Sequence, residues 1–203
     1  MNKKQIFALF IPLLVLAIMY PIFQILGNIF SENMRLGWFI GLTIYWLIFG
    51  LITPLCLIGK KNILKLIKPR KLTLKIILFI SIPAIILIIN KFFPVMIYEK
   101  PTLFVFSLLL LSGFGNGFFE EVLWRGVYMN LFSNNIFFRI IFPSIGFGLW
   151  HYAPGSISSS NPLVLVIGAI VLGIYLSFIA KKTGTIWWTI LIHTSIGIIA
   201  SIL

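Results

Sequence analysis

The sequence predicts an all-α protein, a polytopic bundle of about seven transmembrane helices. Of its 203 residues, 60% are hydrophobic and only 10% are charged, whereas about a quarter of the residues of a soluble domain carry charge. Apolar runs near or above the ~18–20 residues needed to cross a bilayer recur along the chain. The alternating segments of about ten residues that are typical of membrane β-barrels do not occur. These observations favour a single helical membrane unit over a set of soluble domains.

The first predicted helix covers residues 6–30 and follows Met1-Asn2-Lys3-Lys4. It is too long for the apolar part of a signal peptide, and no small-residue cleavage site follows it. Pro12 and Pro21 are expected to bend it. The six later helices are predicted from apolar runs between polar turns, at about 37–58, 76–92, 102–131, 136–152, 162–180 and 185–203.

The formal net charge of +12 reflects membrane topology rather than nucleic-acid binding, because the basic residues flank apolar runs. Seven of them lie between Gly59 and Lys75, and basic loops stay in the cytoplasm. Seven spans with a cytoplasmic N-terminus place twelve basic residues inside and three outside. We therefore expect a multi-pass protein of the cell membrane. Richness in Ile, Lys, Asn and Phe is typical of a bacterial genome of low GC content. The single cysteine, Cys56, excludes a disulfide framework and a cysteine-based zinc cluster.

Two adjacent carboxylates lie inside one apolar run. The chain has four acidic residues, and two of them are Glu120 and Glu121. Each costs on the order of 2.5–3.5 kcal/mol in a membrane-grade segment. Arg125 follows Glu121 at the favourable four-residue spacing and neutralises it, while Glu120 lies about 100° further round the helix. An ion pair that locks helix packing explains Glu121 and Arg125 only, so Glu120 is the candidate general base or acid.

The two histidines, His151 and His193, both lie in predicted membrane helices. One histidine alone would be read as an ordinary hydrogen-bonding core residue. Two of them with Glu120 form the minimal set that can activate a water molecule, with or without a metal ion. If a divalent metal such as zinc is bound, these three residues are its candidate ligands. Glycines at 113, 115 and 117 are expected to let helices approach closely.

Three motifs in order carry a resemblance to a known family. Glu120-Glu121-x-x-x-Arg125, then Phe147-x-x-x-His151, then His193 in a late helix resemble the CPBP family of intramembrane proteases. That family includes type II CAAX prenyl endopeptidases together with bacteriocin-processing and immunity relatives. The similarity covers about half of the chain, roughly 102–199. The chain is therefore expected to consist of N-terminal transmembrane helices with a basic cytoplasmic loop in 1–100, read from hydropathy and charge, and a CPBP-like catalytic core in 101–203, which the resemblance implies.

The resemblance implies hydrolysis of a peptide bond in a membrane-associated peptide or protein, which need not be prenylated, at a cavity inside the bilayer. Glu120 and His151 would activate water, and His193 would help to hold the oxyanion. Glu121 and Arg125 would form a structural ion pair, with Phe147 and Trp150 lining the site. Members are often described as metalloproteases, and a metal-free glutamate mechanism has also been argued. The expected partners are the lipid bilayer and the peptide substrate, and nucleic acid is not among them.

One position departs from the family pattern. The third motif usually reads His-x-x-x-Asn, whereas His193 is followed by Gly197 four residues later. Losing one oxyanion donor typically costs ~10²–10³ in rate. Two alternatives therefore stay open. One is a non-catalytic membrane protein of the bacteriocin-immunity type on the same scaffold. The other is a small ion or proton transporter that uses the buried carboxylate as a relay.

Overall fold

The computed structural model describes residues 1–74, 76–78, 81, 102–159 and 161–202. Within these residues the protein is a bundle of helices without strands, which confirms the predicted all-α fold. The helices are α1 Lys3–Ile29, α2 Met34–Tyr45, π1 Trp46–Ile52, α3 Thr53–Leu66, α4 Leu103–Gly115, π2 Asn116–Val127, α5 Tyr128–Leu131, π3 Phe137–Ile141, α6 Phe142–Trp150, α7 Tyr152–Ser158, α8 Pro162–Thr183 and α9 Trp187–Ile202.

Four continuous helical runs among the described residues are long and apolar enough to cross a membrane, and they are Lys3–Ile29, Ser31–Leu66, Leu103–Leu131 and Pro162–Thr183. A shorter apolar stretch, Trp187–Ile199, lies in α9. The predicted span at 76–92 lies almost wholly outside the described residues. On α8, Val164, Ile167 and Val171 are each more than 60% exposed. A surface of this kind suits lipid rather than water.

The structure tests two of the predicted helix boundaries. The helix predicted to end near Ile58 is interrupted at the next residue, and a further helical stretch follows to Leu66, so the basic segment begins on a helix. Gly59 breaks the helical path there with φ 76°, a conformation that glycine adopts readily. The Ala-Pro-Gly sequence predicted to end a helix instead lies inside α7. Pro154 is the third residue of α7, and the first turn of a helix tolerates proline.

Helix α1 buries one face against α2, α6 and α7. Its buried apolar residues recur every three or four positions, which is the spacing of a single helix face. They are Ala8, Ile11, Val15, Met19 and Phe23. This face joins the main hydrophobic core, to which π2 and α6 also contribute.

Helices α4 and α9 meet backbone to backbone. A Cβ atom built on Gly197 would lie 3.1 Å from the Cα atom of Gly113. A Cβ on Gly117 would lie 2.7 Å from the backbone nitrogen of Thr194. The close packing predicted for the glycines at 113 and 117 is therefore observed against α9. At position 197, a Cβ atom would make an unusually tight contact with the backbone of α4, so a longer side chain there would require the two helices to shift.

The segment after α3 is held against the turn between α8 and α9. Thr185 Oγ1 donates to the carbonyl oxygens of Leu66 and Lys68, at 2.6 and 2.7 Å. Trp188 Nε1 donates to the carbonyl oxygen of Arg70 at 2.9 Å. These contacts fix the basic segment at the same end of the bundle as Lys181 and Lys182 in the last turn of α8.

Candidate active site

Helix π2 carries both carboxylates into the protein interior. Glu120, Glu121 and Arg125 are at most 1% exposed. The i→i+5 hydrogen bonding of a π-helix widens each turn, and such segments are frequent at functional sites. Its partner π1 packs directly against it, and α9 packs on another side. Both carboxylates reach the same residue of α9, His193, although they are adjacent in sequence.

One oxygen of Glu121 holds two partners. Its Oε1 accepts from Arg125 Nη1 at 2.9 Å and lies 2.9 Å from His193 Nδ1. A carboxylate paired with a guanidinium only accepts hydrogen bonds, so Nδ1 of His193 carries a proton. The pairing of Glu121 with Arg125 expected from their spacing is thus present, and it also fixes the orientation of a histidine from another helix.

Glu120 is held by a different donor. Its Oε1 accepts from Trp150 Nε1 at 2.6 Å, a short, charge-assisted hydrogen bond. Its Oε2 lies 3.5 Å from His193 Nε2 and has no hydrogen-bond partner in the described part of the chain. This oxygen is therefore an atom of the diacid without a hydrogen-bond partner among the described residues, and it lies next to an imidazole nitrogen.

Phe147 lies between the cationic and imidazole groups. The Arg125 guanidinium carbon lies 4.3 Å from the centre of its ring, within the range of a cation–π contact. The rings of His151 and His193 meet its edge or face with centroids 4.6 and 5.7 Å away. The phenylalanine thus fills the space between the three groups and keeps them apart.

His151 lies in the turn between α6 and α7 and is half-buried. Its Nδ1 lies 2.6 Å from the carbonyl oxygen of Phe147. A carbonyl only accepts, so Nδ1 carries the proton and Nε2 of the neutral ring is left with a lone pair. In the structure, His193 is the histidine that reaches the carboxylates, while the hydrogen bond of His151 goes to its own helix.

Four buried polar atoms of the diacid and its arginine have no hydrogen-bond partner among the described residues. They are Oε2 of Glu120, Oε2 of Glu121, and Nε and Nη2 of Arg125. Buried polar atoms without partners are uncommon and require an explanation. Concentrated at one place, they make this cluster a site with unused capacity to bind water or a polar part of a substrate.

A catalytic zinc site needs three protein ligands around one point. Across the described residues, no three His, Cys, Asp or Glu side chains are grouped so that they could hold a metal ion. Glu120 Oε2 and His193 Nε2, 3.5 Å apart, supply two donors. The expected third ligand, His151, does not complete the group, so the arrangement is one ligand short of a catalytic metal site.

The C-terminal half of the sequence matches a known protein family. Residues 102–199 match the family described as type II CAAX prenyl endopeptidase Rce1-like. These residues are a domain of that family. The Rce1-like match confirms the resemblance drawn from the motifs, and over these residues it supports a CAAX-type intramembrane protease at family level. No curated protein and no solved structure matches the chain.

The Rce1-like domain does not contain the whole site. Tyr45, on α2, stacks on Trp150 with ring centroids 3.8 Å apart. Trp46, at the start of π1, donates to the side chain of Asn116 at 3.0 Å. Sequence reasoning singled out neither residue, because aromatic residues in an apolar span usually serve packing or anchoring. The only feature of the sequence that could have pointed to Tyr45 and Trp46 is that each carries a polar group, a hydroxyl or an indole N–H, inside an apolar span.

Proposed function

We propose that the protein is an intramembrane endopeptidase that hydrolyses a peptide bond of a membrane-associated peptide or protein. One observation carries the proposal. Oε2 of Glu120, fully buried and without a partner in the described residues, lies 3.5 Å from His193 Nε2 inside an Rce1-like domain. A carboxylate kept free in the membrane interior at that cost indicates function rather than packing.

Glu120 is the general base and then the general acid. Its Oε2 takes a proton from a water molecule as the water oxygen bonds to the carbonyl carbon of the substrate. The tetrahedral intermediate then collapses, the C–N bond breaks, and the same proton passes to the leaving amine. The Trp150 hydrogen bond occupies Oε1, which leaves Oε2 as the oxygen that exchanges protons.

The two histidines divide the remaining work. His193 donates from Nδ1 to Glu121, and a second proton on Nε2 would lie where negative charge develops on the substrate oxygen. Glu121 offsets the charge of that ring. The lone pair on Nε2 of His151 is available to orient the water from the other side of Phe147.

The location of the diacid limits the substrate class. Glu120 and Glu121 lie within the apolar run Leu103–Leu131, so the scissile bond must enter the bundle at membrane depth. A peptide with an apolar or lipid-modified segment would partition into the bilayer and so reach the depth of the diacid. We therefore propose a membrane-associated substrate, with prenylation as a property to be tested.

The test uses the full chain reconstituted in liposomes with a set of membrane-inserted peptides, prenylated and unprenylated. Cleavage is followed by mass spectrometry of the products. We expect cleavage by the unmodified protein and none by Glu120→Gln, with Glu32→Gln as the matched control because Glu32 is exposed. Equal product from the unmodified protein and from Glu120→Gln would overturn the proposal.

A second candidate function is supported by Gly197. Position 197 carries no side chain and lies against Gly113, so the donor expected from the third family motif is missing. A binding or immunity protein on the same scaffold would not need that donor. If this second function is right, a bacterial strain that carries the Glu120→Gln variant should still be protected against the bacteriocin. If the protection depends on peptidase activity, the same variant should lose it.

A further inference from the structure

Trp150 is the donor to Glu120, and its own orientation depends on an aromatic side chain from outside the Rce1-like domain. Its indole Nε1 donates to Glu120 Oε1 at 2.6 Å. On one face of the indole lies the ring of Tyr45, at a centroid distance of 3.8 Å and an interplanar angle of 11°. Phe23 contacts the indole at 6.1 Å in a tilted arrangement. An indole N–H lies in the ring plane, so a stack that fixes the plane also aims the hydrogen bond.

Tyr45 is itself held in place. Its hydroxyl oxygen accepts from Trp124 Nε1 at 2.8 Å, and Trp124 lies on π2, four residues after Glu120. Tyr45, Trp124, Trp150 and Glu120 are all 0% exposed. The four side chains therefore form a closed circuit that starts and ends on π2 and passes through α2 and α6.

We propose that Tyr45 is a positioning residue for Glu120, acting through Trp150. Tyr45 touches no reacting group and sets the plane of the indole, and the indole holds Oε1 so that Oε2 stays available. The catalytic meaning of this inference rests on the proposed peptidase function. The hydrogen bond between Trp150 and Glu120, and its dependence on the Tyr45 ring, are independent of that function and can be measured without any substrate.

The first experiment is nuclear magnetic resonance of the indole N–H groups of the full chain in lipid nanodiscs. The chain has six tryptophans, and Trp150→Phe identifies the resonance of Trp150. We expect that resonance to be shifted far downfield by its charge-assisted bond and to move upfield in Glu120→Gln. The size of this displacement reports how well Trp150 and Glu120 are coupled.

The displacement is then measured in two Tyr45 backgrounds. In Tyr45→Phe, which keeps the stack, Glu120→Gln should move the Trp150 resonance as it does in the unmodified protein. In Tyr45→Leu the displacement should fall to less than half. Comparing displacements rather than positions removes the direct effect of the missing ring on the chemical shift. If Glu120→Gln changes the Trp150 chemical shift equally in the Tyr45→Phe and Tyr45→Leu backgrounds, the inference is overturned. It is also overturned if Glu120→Gln does not change the Trp150 chemical shift at all.

The second experiment measures cleavage by the same variants. Tyr45→Leu and Trp150→Phe should each lower kcat about 10²-fold with little change in KM, since small misplacements of a catalytic group cost about that much. Tyr45→Phe, which keeps the aromatic ring, should retain most of the kcat of the unmodified protein.

Trp150→Phe keeps an aromatic ring in the stack, and its unfolding midpoint, compared with that of the unmodified protein, shows whether a loss of rate comes from misfolding. Unchanged kcat in Tyr45→Leu and Trp150→Phe would overturn the inference. If the unmodified protein cleaves nothing, the proposed function fails, and the resonance experiment still decides the role of Tyr45.

Discussion

At the residue scale, the site depends on how one carboxylate oxygen is shared. Oε1 of Glu121 takes hydrogen bonds from Arg125 on its own helix and from His193 on α9. Arg125 therefore neutralises the buried charge of Glu121, and Glu121 in turn orients His193, the histidine that approaches Glu120. The contribution of the Glu121–Arg125 pair is visible only when one member is removed, because the remaining charge is then left without compensation.

Arg125→Met is expected to lower the free energy of unfolding by about 3–5 kcal/mol, since Glu121 would remain buried without its cation. Reversible denaturation in mixed detergent micelles measures this value. Arg35→Gln is the matched control, because Arg35 is exposed, and it should change stability by less than about 0.5 kcal/mol. A loss below about 1 kcal/mol in Arg125→Met would show that His193 alone compensates Glu121.

Whether cleavage depends on a metal ion is also a question about individual side chains. Glu120 and His193 bring two donors together, and no group of three is present among the described residues. We expect cleavage to persist when the reconstituted protein is dialysed against a strong chelator. Activity that disappears on chelation and returns with added zinc would show that a third ligand is recruited, with His151 the first residue to test.

At the scale of elements, the contact between α9 and the α4–π2 segment sets the distance between His193 and the carboxylates. The glycines at 113 and 117 predicted close packing from sequence alone, but their partner helix was not predictable from local pattern. Gly197 was read from the sequence only as a missing amide. Its contact with Gly113 shows a packing role as well, because a Cβ atom built at position 197 lies 3.1 Å from the Cα atom of Gly113.

Gly117→Ala is expected to destabilise the protein by about 1–3 kcal/mol, because the added methyl group overpacks the contact with Thr194. It should also weaken cleavage by moving His193, which neighbours Thr194 in sequence. Gly168→Ala is the matched control on α8. No atom lies within 4 Å of a Cβ built there, so it should gain about 0.5–1 kcal/mol from helix propensity. Equal effects of the two substitutions on the unfolding midpoint would contradict this account.

The π-helical segments mark the limit of sequence reasoning at this scale. Apolar length predicted the run that contains π2, and the α-helical spacing of Glu121 and Arg125 predicted their pairing. The run gave no sign that its backbone would widen over Asn116–Val127. Over this stretch π2 packs against π1 and α9, and both carboxylates lie close to His193. Adjacent residues on an ordinary α-helix point about 100° apart.

At the scale of the whole molecule, the distribution of basic residues predicts orientation. The segment after α3 and the end of α8 meet at one end of the bundle through the contacts of Thr185 and Trp188. Both segments are rich in lysine and arginine, as expected of a cytoplasmic face. Contacts such as that between Tyr45 and Trp124, 79 residues apart in sequence, lie beyond what spacing or composition can predict.

Orientation can be measured with single cysteines, because Cys56 is the sole cysteine of the chain. In a Cys56→Ser background, Glu32→Cys should react with a membrane-impermeant maleimide on intact cells. Asn134→Cys, at the opposite end, should react only after permeabilisation, and both positions are exposed. The reverse pattern of labelling would place the N-terminus outside and the basic segments on the wrong side of the membrane.

The hydrogen bonds that join the first two helices to the later ones have a practical consequence for anyone who dissects this protein. Tyr128 donates to the backbone of Ala8 at 2.7 Å, and Trp46 donates to Asn116 at 3.0 Å. A shortened version starting at residue 102 would follow the family boundary and yet lose the residues of α1, α2 and π1 that contact the candidate site and the helices around it. We expect such a fragment to precipitate or to remain inert, and chimeras between relatives to work only when both halves are exchanged together.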